Sequence, residues 1–128
     1  MPKASKTTAS EPMELDGYEG HFENLDGGYT VGFEHYTEDQ DVAALFRGLP
    51  DDACQCPHWG VVARGRLSFR FTDGTAEDYV EGDAYYARPG HTPVFTAGTE
   101  VVEFSPTVEL GQTIEVVTRN MEATAHAT

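Results

Sequence analysis

The clearest pattern along the chain lies at Leu67, Phe69 and Phe71, which alternate with Ser68, Arg70 and Thr72. A period of two is that of a strand with one buried face. Asp73-Gly74 follows as a hairpin signal, and Tyr79-Val80 continues on the other side of it. Glu81-Gly82-Asp83 turns the chain again. Ala84–Ala87, Pro93–Thr96, Glu100–Phe104 and Thr113–Thr118 read as further short strands. Upstream, His58–Ala63 is a strand that turns at Arg64-Gly65, and Asp26-Gly27-Gly28 introduces another at Tyr29–Phe33. Gln40–Arg47 breaks this rhythm. Val42, Leu45 and Phe46 fall at helical spacing, Asp41 can cap, and Gly48 and Pro50 end the run, so a short helix is expected. Turn signals every ~8–12 residues imply an antiparallel sandwich or barrel. Residues 1–12 and 118–128 are small and polar, and are expected to be disordered tails around one domain at 13–117.

Composition narrows the class without changing the fold. At 128 residues, with 39% apolar and 23% charged, the chain can bury one real core. Twenty-two acidic residues against 8 basic give a net charge of −14, which repels phosphate backbones and anionic lipid. Nucleic acid and membrane surfaces are therefore not expected partners. No apolar run approaches the ~18 residues of a membrane span, and no apolar stretch follows the N-terminal lysines as a secretory signal would need. The expected setting is the cytoplasm. There, two thiols as close as Cys54 and Cys56 stay reduced, and metal binding or redox chemistry is their natural use. No nucleotide, flavin or haem motif is present.

At Gly82-Asp83-Ala84-Tyr85-Tyr86-Ala87-Arg88-Pro89-Gly90 the sequence resembles the second motif of the cupin superfamily, a glycine followed after five residues by a proline-glycine turn. Val61-Val62-Ala63-Arg64-Gly65-Arg66 looks like the end of the first motif, and the 16 residues 66–81 between them suit a small bacterial cupin. The resemblance covers roughly residues 50–117. It implies an all-β fold, the cupin double-stranded β-helix or jelly-roll barrel, open at one end, and pairing as a homodimer. It also implies where a metal site would fall, and there the sequence departs from the family. The family's glutamate position is His58, its first two histidine positions fall at Asp52 and Cys54, and its last falls at Pro93. The usual three-histidine, one-glutamate site is absent, and the iron or manganese dioxygenase chemistry that goes with it does not carry over.

What stands in its place is Cys54, Cys56 and His58, with His91 nearby. In an extended chain residues 54, 56 and 58 share a face. Thiolates and imidazoles suit zinc first, with iron or copper as alternatives, and argue against magnesium and calcium. The Cys-x-Cys spacing and Pro57 hinder chelation by both sulfurs, so a three-ligand site and a four-ligand site are both open. Trp59, Tyr85, Tyr86, Phe95 and Phe104 are expected mostly in the core. Glu103 is expected to face solvent; if it faces inward it is a candidate general base, with Tyr86 as a second proton carrier. Two functions compete on this reading. One is a metal-dependent lyase, isomerase, hydrolase or oxidoreductase on a small organic molecule. The other is a non-catalytic sensing or binding module that works with a partner protein.

Overall fold

The computed structural model describes residues 2–126. Ten strands are arranged in two antiparallel sheets. They run β1 (Glu11–Leu15), β2 (Tyr18–Leu25), β3 (Tyr29–Tyr36), β4 (Gln40–Asp41), β5 (His58–Arg64), β6 (Arg66–Phe71), β7 (Ala76–Val80), β8 (Ala84–Ala87), β9 (His91–Phe95) and β10 (Thr99–Pro106). A long helix, α1 (Thr107–His126), follows. One sheet has the order β1-β2-β3-β10-β5-β8 and the other β4-β9-β6-β7.

Alternation decides what each strand buries. In β6, Leu67 and Phe69 are each 1% exposed, as their period-two spacing predicts. They meet Val62, Val101, Tyr85, Tyr36 and Phe95 between the sheets, and this is the main core. Glycines let aromatic rings lie flat across the inner face of the six-stranded sheet. A Cβ at Gly60 would stand 2.5 Å from Cζ of Tyr85, and one at Gly32 would stand 2.6 Å from the Phe22 ring. A second apolar cluster, Phe46, Leu49, Cys54 and Cys56, packs with Leu110, Val116 and Val117 of α1.

Several expectations are corrected. Thr113–Thr118 is not a strand and residues 118–126 are not a tail, because α1 runs through both. Its β-branched residues favour strands locally, but Leu110, Ile114 and Val117 recur at helical spacing and turn toward the interior. The strand β1 begins inside the expected N-terminal tail, and β2 was not foreseen. Met1 and residues 127–128, the outer ends of the expected tails, lie outside the described residues. The expected helix at Gln40–Arg47 shrinks to one 3-10 turn, Ala43–Phe46, where the Asp41 carboxylate accepts a hydrogen bond from the Ala43 N–H at 3.1 Å. Trp59 and Phe104, expected inside, are 44% and 43% exposed on the outer face of the larger sheet. Among the described residues no helix is long and apolar enough to cross a membrane.

Candidate functional site

The candidate site begins with a bend in the main chain. Asp51 and Asp52 take positive φ values of 56° and 53°, a left-handed region that aspartate tolerates better than most residues. The Asp52 carboxylate accepts a hydrogen bond from the Gly48 N–H at 3.0 Å, which leaves it outside the site. The bend delivers Cys54 to the start of β9. There the Cys54 N–H donates to the His91 carbonyl at 2.9 Å, and the Cys54 carbonyl accepts from Gly90 N–H at 2.8 Å and His91 N–H at 3.3 Å. His58 opens β5 on the inner face, and its ring lies 5.0 Å from that of His91.

Cys54, His58 and His91 therefore converge, with ligand atoms within 4.8 Å of one another and all three side chains buried. Cys54 Sγ lies 3.7 Å from His58 Nε2. A tetrahedral zinc with sulfur at ~2.3 Å and nitrogen at ~2.0 Å sets that separation near ~3.5 Å, so the donor set fits a metal. The back of each imidazole is held. His91 Nδ1 lies 2.6 Å from the Arg88 carbonyl, which can only accept; Nδ1 carries the proton and Nε2 is left as the donor. His58 Nδ1 lies 2.7 Å from Ser105 Oγ, with a Glu103 oxygen at 4.0 Å. Burial pushes both histidines down to about 4, His58 next to His91 adding to the effect on the latter, so both are neutral near pH 7. Burial pushes the Cys54 thiol up to about 11.

Cys56 does not join them. It is 1% exposed, but its Sγ faces the Pro57 carbonyl at 3.4 Å, within the α1-side cluster. Its thiol is raised to about 12, by burial and then by Cys54. The expected shared face of residues 54, 56 and 58 is not found: residues 55–57 belong to no strand, β5 starts at His58, and of the two thiols only Cys54 joins the histidines.

The group sits on the wall of a cavity of about 140 Å³ between the sheets, with α1 along one side through Leu110, Thr113, Ile114 and Val117. Glu103 faces into this cavity, against the solvent-facing expectation; in β10 the inward set is Val101, Glu103 and Ser105. The Tyr85 hydroxyl donates to it. Tyr86 points the opposite way, 48% exposed, with its ring 5.0 Å from Trp59. It has no access to the cavity, and the neighbouring Tyr85 holds the inner position. Glu34, which the sequence reading did not single out, lies on the inner face of β3 and accepts a hydrogen bond from the Tyr18 hydroxyl at 2.9 Å. Desolvation raises both carboxyls well above the ordinary range, and Glu103 raises Glu34 further. A glutamate two residues from Gly32 and two from Tyr36, on the inward alternation of β3, was the one available signal.

Two antiparallel sheets enclose a cavity, and the fold they form is cupin-type, as the likeness to solved cupins shows. No family profile matches the sequence, and no curated protein matches it either. The likeness is to solved structures. One is a protein of unknown function from Rhizobium leguminosarum bv. viciae 3841, with TM-score 0.60, 19% identity, and 82% of this chain and 95% of that one covered. A second is an RmlC-like cupin from Shewanella frigidimarina, with TM-score 0.55, 14% identity and coverage of 83% and 92%. A third is the polyketide cyclase RemF from Streptomyces resistomycificus, with TM-score 0.56, 12% identity and coverage of 84% and 80%. Identities this low carry the fold and nothing finer.

Proposed function

We propose that this chain is a metal-dependent enzyme acting on a small organic molecule, with Cys54, His58 and His91 holding one divalent metal, zinc first among candidates. The observation that carries the reading is the convergence of three buried donors on the wall of a cavity that also contains two protonatable carboxyls. Three protein donors leave a coordination position for substrate or water, whereas a closed four-ligand set would favour a structural or sensing role. When bound, the metal supplies a Lewis acid at that end of the cavity. The chain's own residues do the rest. Ser105 and the Arg88 carbonyl fix the imidazole orientations. Glu103, held by Tyr85, is placed to take or return a proton. The apolar walls exclude water.

The test is metal analysis by mass spectrometry on untagged protein. Wild type is expected to hold close to one metal per chain. Cys54→Ser and His91→Ala are each expected to lose affinity by about a hundredfold, and Cys56→Ser to keep it. Because Cys54 must shed its proton to bind, affinity in competition titrations should rise by up to about tenfold per pH unit through neutrality. A wild type that takes up no metal under reducing conditions sinks the proposal.

The outer face of the six-stranded sheet supports a second proposal, a homodimer. Trp59, Val61, Tyr86, Phe104 and Tyr29 are all 41–48% exposed there, with Trp59 in ring contact with Tyr29 and Tyr86. A contiguous apolar face of this kind is unusual on a monomer. Sedimentation equilibrium is expected to give twice the chain mass, and Trp59→Asp to halve it; a monomeric wild type at micromolar concentration excludes the pairing.

A further inference from the structure

The cavity has a charge character that the metal donors do not explain. Among the described residues, neither lysine nor arginine lines it. Its remaining charged groups are Glu34 and Glu103, on the neighbouring strands β3 and β10. Tyrosine hydroxyls hold them: Tyr18 and Tyr36 reach Glu34, and Tyr85 reaches Glu103. A carboxylate offers about four acceptor sites, so these few hydroxyls leave acceptors over. The walls around them are apolar, with Phe22, Phe69, Phe95 and Ile114 among them. Buried carboxylates in such surroundings are stabilised by a cation, and the wall provides none.

Size sets the rest. The volume is about 140 Å³, and a cavity of ~150 Å³ is known to accommodate benzene.

We propose that the cavity takes a small organic cation, a protonated primary amine on an apolar body of about one ring, with the ammonium group seated at Glu34 and Glu103. This names the substrate class for the metal-dependent enzyme proposed above and rests on that reading. The ammonium supplies the donors the carboxylates lack, and the ring fills the space between the phenylalanines and α1. A carboxylate or phosphate substrate would meet two acids and no basic side chain. An anion could be charge-balanced only on the metal with both glutamates protonated, and that arrangement predicts the opposite selectivity.

Benzylamine, benzyl alcohol and benzoate share one ring and differ in charge. Each is titrated calorimetrically into metal-loaded protein and into protein stripped with a chelator. Benzylamine is expected to bind at least tenfold more tightly than benzyl alcohol in both forms, and benzoate to bind more weakly than either. Glu34→Gln, with its metal content unchanged, is expected to bring benzylamine and benzyl alcohol within about twofold. Benzoate binding as tightly as benzylamine overturns the proposal, and so does the absence of binding by all three at millimolar concentration. If Glu34→Gln does not fold, the ranking on wild type alone decides. A wild type that binds no metal yet prefers benzylamine defeats the enzyme reading and leaves the amine site standing. One that binds metal and shows no such preference does the reverse.

Discussion

Phe69→Ala is expected to cost about 3–5 kcal/mol of folding stability, a large part of what a single domain has. The side chain is 1% exposed and touches three different parts of the molecule. Its ring lies 5.4 Å from Tyr85, 5.9 Å from Tyr79 and 5.2 Å from His91. Truncation removes the transfer energy of a phenyl group and opens a void beside a wall that already borders a cavity. It also removes the surface against which the His91 ring rests, so metal affinity should fall along with stability. Urea unfolding of metal-free and metal-loaded protein separates the two effects. The contrast is Trp59→Ala, which removes a larger ring that is 44% exposed, and is expected to cost less than half as much in the monomer. Equal losses at the two positions would mean that Phe69 is not central to the core.

The second large effect is a dependence on pH. In metal-free protein the Glu34–Glu103 pair titrates with apparent values of about 8 and about 7 against an unfolded value of 4.5. A raised carboxyl contributes stability that is fully present below 4.5 and is lost as pH rises through the folded values. The two histidines behave oppositely. Depressed to about 4 from 6.5, they contribute stability above 6.5 that is lost as pH falls toward 4. Between these limits the proton uptake and release on unfolding nearly cancel. Stability should therefore be highest at about pH 4.5–6.5 and fall toward pH 8 by about 2–3 kcal/mol, or roughly 5–10 °C in Tm. Glu34→Gln is expected to remove much of that fall. Thermal melts at constant ionic strength in the presence of chelator measure it; a midpoint that rises steadily from pH 6 to 8 contradicts the assignment.

The strands that were legible in the sequence were those whose pattern is local. Leu67-Ser68-Phe69 declares its buried side by alternation, and Asp73-Gly74 declares its turn. The Cys54, His58 and His91 cluster was legible for a related reason: two members are four residues apart, and His91 follows the Pro89-Gly90 turn. The helix α1 was hidden by Thr113, Ile114, Val116 and Val117, whose local preference is for strand; the packing of Val116 and Val117 against the cluster of Phe46 and Leu49 is set only in three dimensions. The inward turn of Glu103 and the outward turns of Trp59 and Tyr86 belong to the same problem. Period two assigns residues to two faces without saying which face is inside. In β10, Val102 and Phe104 look like the core set, yet Val101, Glu103 and Ser105 are the ones that face it. Glu34 reaches the site through the pairing of β3 with β10, a contact separated by about half the chain, so no local motif marks it.

The three main-chain hydrogen bonds that join Cys54 to Gly90 and His91 fix the spacing of two donors before any ion arrives. If the proposed metal is taken up, Cys54 and His91 meet it at a main-chain spacing already set, so less of the binding energy goes into ordering the chain, and the thiolate and imidazole donors choose among the ions that fit.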